Sequence, residues 1–247
     1  MSDEHRVEDS GREAAIVATF VRLADTLVDT YDVIDFLQYL CERCVELIGI
    51  EEAGVLLAAP TGNLQAVAAS SERTRLLELF EVQNSDGPCL DSFRSGDEVY
   101  ATDLEQARER WPLFADRALG SGFRGVHSVP LRLRQQVIGA LNLLSARPVP
   151  LGALDASLAR ALADIATIGV LQERSNSEAS ESASGLQRAL TSRIRIEQAK
   201  GILAERTSGT VDEAFESLRS YARRHRLCIT VIAERVVRRE LDIVPDG

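Results

Sequence analysis

Twelve of the 28 basic residues lie between residues 188 and 240, and several of them recur at helical spacing. Arg193 and Lys200 are seven apart, two helical turns, so they share a face, beside an apolar stripe of Ile196, Ala199 and Leu203. Further on, Phe215, Leu218 and Ala222 form an inward stripe. Arg219, Arg223 and Arg226 follow four- and three-residue steps on an outer face, which Arg224 extends and Tyr221 borders. Grouped guanidinium groups bind phosphate through a planar, bidentate fork, and an aromatic at the border can stack on a base. By pattern alone, a solvated helix face salted with charge is the usual meaning of such a run. Lys200 is the only lysine in the chain.

Two other residues could carry chemistry. Cys89 follows Gly87-Pro88 at the start of a short helix, where a thiol of lowered pKa can sense redox state, although a buried, inert thiol is the plainer reading. His127 sits in an expected strand, where it can face a pocket and ligate a small molecule, a haem or a metal; a structural histidine is the plainer reading. Cys41 and Cys44 form C-x-x-C with no second pair at zinc spacing. With Leu37, Leu40, Leu47 and Ile48 they make one apolar helix face, so they read as core. The sequence has no phosphate loop, dinucleotide glycine fingerprint, H-E-x-x-H or G-x-S-x-G. An enzyme is not expected, no metal site is expected, and no cofactor is indicated.

The elements that must position these residues fall into two parts. At 247 residues, with 45% hydrophobic and 27% charged, the composition is that of an ordinary globular protein with room for one large or two smaller domains. No run reaches the ~18 apolar residues of a membrane span. The polar, acidic start MSDEHRVEDSGRE lacks a secretory signal pattern, so a reducing cytoplasmic location with free thiols is expected. The formal net charge is −10, but it is unevenly spread. Residues 1–175 carry 27 acidic and 16 basic side chains, whereas 188–240 carry 7 and 12. That asymmetry points to a second domain with its own partner.

Residues 1–11 read as a loose tail. Helices are expected over 12–28 and 33–48, the second stopped by Gly49. Runs at 53–59 and 64–70 flank the turn cluster 60–63 and read as a hairpin. Helix 72–82, a short helix after Pro88, a strand at 98–101 and a helix over 103–119 in two pieces broken at Pro112 follow. A second hairpin, 124–133 and 136–144, turns at Arg134-Gln135, and a helix spans 154–173. This order suits an α+β fold, an antiparallel sheet covered by helices, over 12–174. Residues 175–185 are serine-rich and read as a linker. Three helices over 186–243 complete the chain, the second opened by the capping box Thr210-Val-Asp-Glu213 and the third capped by Thr230.

These residues are similar to those of two known families. The C-terminal segment resembles the ANTAR family in Arg193, Ile196-Glu-Gln-Ala-Lys-Gly201, Ala214-Phe215, Leu218-Arg219, Tyr221-Ala222 and Ala233. The N-terminal part resembles the GAF domain that precedes ANTAR in many actinobacterial proteins. It does so in Phe20–Val28, Gly87-Pro-Cys89, Trp111-Pro112, Val129–Leu133 and Ile138–Leu143. Val231 departs from the pattern, in which an acidic residue is common at the start of the last helix. The resemblance implies an all-α, three-helix RNA-binding domain behind a sensory domain. It implies a dimeric transcription antitermination regulator that binds leader-transcript hairpins, while the GAF part senses a small ligand or a redox signal. The residues expected to meet RNA are Arg193, Lys200, Arg219, Tyr221, Arg223 and Arg224; Cys89 and His127 are those expected to sense a ligand. Two other classes are a DNA-binding regulator, placing one of three helices in the major groove, and a signalling module whose tail only dimerises.

Overall fold

The computed structural model of the chain describes residues 3–28, 31–59, 61–179, 185–225 and 227–243. Helix α1 spans Asp3–Val28. It starts well before residue 12, so the stretch expected to be a loose tail continues the helix. Helix α2, Val33–Ile48, is fixed at both ends. The Asp32 carboxylate accepts from the Ile34 N–H at 2.8 Å, and Gly49, in the left-handed region at φ 73°, donates its N–H to the Val45 carbonyl.

Strands β1, Glu52–Ala58, and β2, Leu64–Ala69, form the first hairpin. Helices α3, Glu72–Asn84, and α4, Pro88–Ser95, follow, with Pro88 in the first turn of α4. After β3, Val99–Ala101, comes a departure from the expected two-piece helix. Residues 104–110 are a run of turns closed by i→i+3 bonds such as Ala107 N–H to the Leu104 carbonyl, and only α5, Pro112–Gly120, is helical. Strands β4, Gly125–Leu133, and β5, Gln136–Ser145, make the second hairpin, turned by Arg134 at φ 56°. Helix α6 spans Ala153–Ala179. Residues 175–179 of the serine-rich stretch therefore extend a helix, and 180–184 lie outside the described residues.

The five strands make one antiparallel sheet in the order β2-β1-β5-β4-β3. Alternation sorts its side chains. Val55, Leu57, Val129, Leu131, Leu141 and Leu143 pack on one face against α2 and α6, around Cys41 and Cys44. Leu56 and Ala140 pack on the other with Leu90 of α4, and Leu144 and Val126 do so with Trp111 and Phe114. Gly139 sits where a Cβ would run into the Leu56 carbonyl, so the close β1–β5 approach requires glycine.

Three helices close the chain: α7, Gly185–Thr207; α8, Val211–His225; and α9, Ile229–Val237. Helix α8 has the expected capping box. Thr210 N–H donates to the Glu213 carboxylate at 2.7 Å, and Glu213 N–H donates to the Thr210 hydroxyl at 3.2 Å. Helix α9 starts one residue after Cys228, not at Thr230. The Thr230 hydroxyl instead donates to Asp32, the residue that caps α2. Ile196, Ala199, Leu203, Phe215, Leu218, Ile232 and Val236 are buried together, and their cluster is continuous with the α2–α6 side of the sheet. The helical part is thus packed on the sheet domain.

Candidate nucleic-acid interface

Arg193 and Lys200 share a face of α7, as their spacing requires, and α8 brings Arg219 to the same seam around Phe215. The face they form is not open to water. Arg193 is 9% exposed, Lys200 4% and Arg219 2%. Arg219 was expected on an outer face; it is instead the most deeply buried of the three, because α8 lays that face on α2.

Carboxylates from both parts of the chain pair with these cations, and Arg219 keeps one buried nitrogen, Nη2, without a partner among the described residues. Arg193 pairs with Glu197 one turn on, at 2.8 Å. Lys200 Nζ lies 3.2 Å from Glu197 and 3.4 Å from Glu72 of α3. Arg75, also of α3, pairs with Glu72 and lies 3.8 Å from Glu197, so α3 and α7 share one charge cluster. Arg219 donates from Nε to Asp35 at 3.3 Å and from Nη1 to Glu42, both on α2, and to Glu216 on its own helix at 3.2 Å. The Phe215 ring lies between the two ends of the cluster, 5.4 Å from Lys200 Nζ and 5.8 Å from the Arg219 guanidinium carbon. Burial pulls the Arg193 pKa down, partly offset by Glu197. Burial pulls Arg219 the same way, but Glu42 and Asp35 outweigh it and the net direction is up. A cavity of about 220 Å³ opens on the seam, lined by Glu42, Glu72, Arg75, Arg193, Lys200 and Phe215 among others.

The other expected contacts remain on the surface. Arg223 and Arg224 are exposed, and Arg226 lies outside the described residues. Tyr221 is half-buried and stacks on His225 with ring centroids 4.2 Å apart.

The two ligand-sensing candidates sit on opposite faces of the sheet. The His127 ring stacks on Tyr100 at 5.5 Å, and its Nε2 is 3.0 Å from Glu98. Burial works against the Glu98 charge, yet hydrogen bonds from Arg160 and His127 hold its pKa below the usual carboxyl value. His127, Tyr100 and Glu98 line a cavity of about 440 Å³ whose wall also includes Ile50, Arg147, Leu151 and the first turn of α6. Cys89 lies on the other side. It is fully buried, and burial with the nearby Glu81 and Glu78 pushes its thiol well up, the reverse of a redox-active cysteine. The N-terminus of α4 is taken by Glu81, whose carboxylate accepts from the N–H groups of Cys89 and Leu90 at 2.7 and 3.3 Å and from the Asn142 amide at 3.2 Å. Burial raises Glu81 to about 8. Sequence reasoning missed this carboxylate, and also Glu42 and Glu72; each stands in a helix where a glutamate reads as solvated. Among the described residues no group of His, Cys, Asp and Glu is placed to hold a metal ion, and no helix is long and apolar enough to cross a membrane.

Comparison with known proteins agrees with this architecture. A GAF domain model matches residues 30–170, and an ANTAR domain model matches residues 184–237. Similar solved structures include two GAF domains of phosphoenolpyruvate-protein phosphotransferases. The one from Acinetobacter has 13% identity and a TM-score of 0.51, covering 64% of this chain and 94% of its own. The one from Coxiella burnetii has 9% identity and a TM-score of 0.52, covering 66% and 96%. A domain of a putative two-component sensor histidine kinase from Sinorhizobium meliloti is also similar, at 15% identity and a TM-score of 0.51, over 60% and 96%. At such identities these neighbours show the fold alone. No curated protein matches the chain. An ANTAR domain is the mark of an RNA-binding antitermination regulator, and a GAF domain is a sensory module. A five-stranded antiparallel sheet between helical layers, followed by three helices, agrees with the two domain matches, and the chain belongs to the GAF domain family, with an ANTAR domain at its C-terminal end.

Proposed function

We propose that this protein is a cytoplasmic, signal-responsive antitermination regulator that binds paired hairpins of a leader transcript as a homodimer. The observation that carries this reading is the convergence of Arg193, Lys200 and Arg219, all at ANTAR motif positions, on one face across α7 and α8. Exposed Arg223 and Arg224 lie further along α8, with Tyr221 beside them for stacking. Val17 and Val21, one turn apart on α1, are exposed apolar side chains that support a second copy of the chain packing there. The cavity beside His127 and Tyr100 supports sensing of a small molecule by the GAF domain, since the first turn of α6 forms part of its wall. Cys89 does not take part, because its thiol is buried and held protonated.

The test is a gel shift of the full chain at low salt and high protein concentration, with a two-hairpin leader RNA competed by hairpin RNA or duplex DNA. The expected result is competition by RNA alone, with weaker binding by Lys200→Ala and Arg193→Ala chains that remain folded by circular dichroism. Equal competition by duplex DNA favours a DNA-binding regulator. Binding to neither, or wild-type affinity in both folded variants, ends the RNA reading.

A further inference from the structure

Among the described residues, the carboxylates that reach across to Lys200 and Arg219 come from the acidic sheet domain. Glu72 stands 128 positions before Lys200, and Glu42 and Asp35 stand 177 and 184 before Arg219. A carboxylate oxygen and a phosphate oxygen offer a guanidinium or ammonium the same thing, an anionic acceptor at hydrogen-bond distance. Buried charge of this kind adds little over a well-packed apolar contact, because desolvation offsets much of the attraction, although removing one partner alone is costly. The arrangement suits a surface that must let go. Packing closes the seam where charge leaves off: Phe215 sits between the cations, and Thr230 donates to Asp32. A side chain 4% or 2% exposed has no room for an RNA strand.

We propose that the acidic face of α2 and α3, through Asp35, Glu42 and Glu72, is an internal mimic of RNA that occupies Lys200 and Arg219, so that hairpin RNA and the GAF domain compete for one set of cations. The proposal rests on the RNA-binding reading above. In this closed form the protein binds RNA with an affinity reduced by the fraction of molecules that are open. A signal that loosens the seam raises RNA affinity without changing any RNA contact.

Lys200, as the only lysine, gives a direct readout of closure. The experiment compares the full chain with its Glu42→Gln/Glu72→Gln variant, which keeps side-chain shape and removes two internal anions. N-hydroxysuccinimidyl acetate labels Lys200, the rate is followed by mass spectrometry of the peptide carrying it, and hairpin RNA affinity is measured by anisotropy on the same samples. The expected result is slow labelling in the wild type, with labelling rate and RNA affinity rising together by about tenfold or more in the variant. Adding Lys200→Ala to the variant removes the gain in affinity. Wild-type labelling as fast as that of a free lysine overturns the closed form, whatever RNA does. Faster labelling with unchanged affinity for an RNA that both chains bind overturns the competition and leaves the RNA reading intact. Faster labelling with no hairpin bound by either chain overturns the competition through the RNA reading itself.

Discussion

Arg219 of α8 and Glu42 of α2, 177 positions apart, form an ion pair that seals the helical domain to the sheet domain. The arginine is buried, whereas Glu42 and Asp35 keep part of their side chains in water. Arg219→Ala is expected to weaken the seam by about 1.5–3 kcal/mol, the worth of hydrogen bonds to charged groups. Arg219→Lys keeps the charge but not the fork and recovers only part of this. Urea unfolding followed separately by the Trp111 signal and by helical circular dichroism checks the prediction. The wild-type curves should coincide and those of Arg219→Ala should separate; coincident curves in both would refute it.

In the Glu42→Gln/Glu72→Gln chain, removing Arg193 or Lys200 is expected to weaken hairpin binding. Each loss should also flatten the slope of log affinity against log salt by about 0.7 to 0.9. A salt titration of each triple variant measures this. An unchanged slope would mean that neither residue meets a phosphate.

Glu81 sets a pH dependence of stability. Folded, it keeps its proton up to about pH 8; its ordinary carboxyl value is 4.5. Between these values the folded state holds more protons than the unfolded state, so stability falls as pH rises from about 4.5 to about 8 and levels off beyond. Glu78, also buried and shifted up, acts with the same sign. Glu81→Gln keeps an acceptor for the Cys89 and Leu90 N–H groups and loses the titration. Thermal melts across this range should fall less steeply in the variant than in the wild type.

The thiols divide by burial. Cys228 is exposed, whereas Cys41, Cys44 and Cys89 are buried with their thiols pushed up, Cys44 to about 12. A chromogenic disulfide reagent at pH 8 is expected to modify Cys228 in the native protein and the other three only in denaturant. Prompt native modification of Cys89, located by peptide mapping, would reopen a redox role.

Thr210→Ala removes one half of a reciprocal cap on α8 and leaves the Glu213 N–H without its acceptor. The expected cost is about 1 kcal/mol, read as a lowered midpoint in urea. Thr210→Ser should restore it.

Much of this architecture is visible in the sequence where a pattern is local. The β4–β5 hairpin shows in its alternation around Arg134-Gln135, the α8 cap in Thr210 and Glu213, and the core role of Cys41 and Cys44 in their helical spacing. The seam is not visible, because nothing local separates a polar helix face that meets water from one that meets another domain. Arg219 sits one turn before Arg223 and reads like it, yet α2 covers one and leaves the other exposed. Thr230 likewise has the composition of a helix cap, and only the distant Asp32 explains why its hydroxyl is used elsewhere. The opposite orientations of His127 and Ser128, neighbours in one strand, do follow from the pleat; the cavity under the first and the buried thiol beside the second do not.

The cations of α7 and α8 fit a mould that the chain carries within itself. Under the competition proposed above, any substitution that sharpens the grip of Lys200 or Arg219 on RNA also sharpens its grip on Glu72 or Glu42. Selection on such a surface would then set only the difference between two fits, and variation at Lys200 or Arg219 should be tolerated only when the acidic helices opposite vary in step.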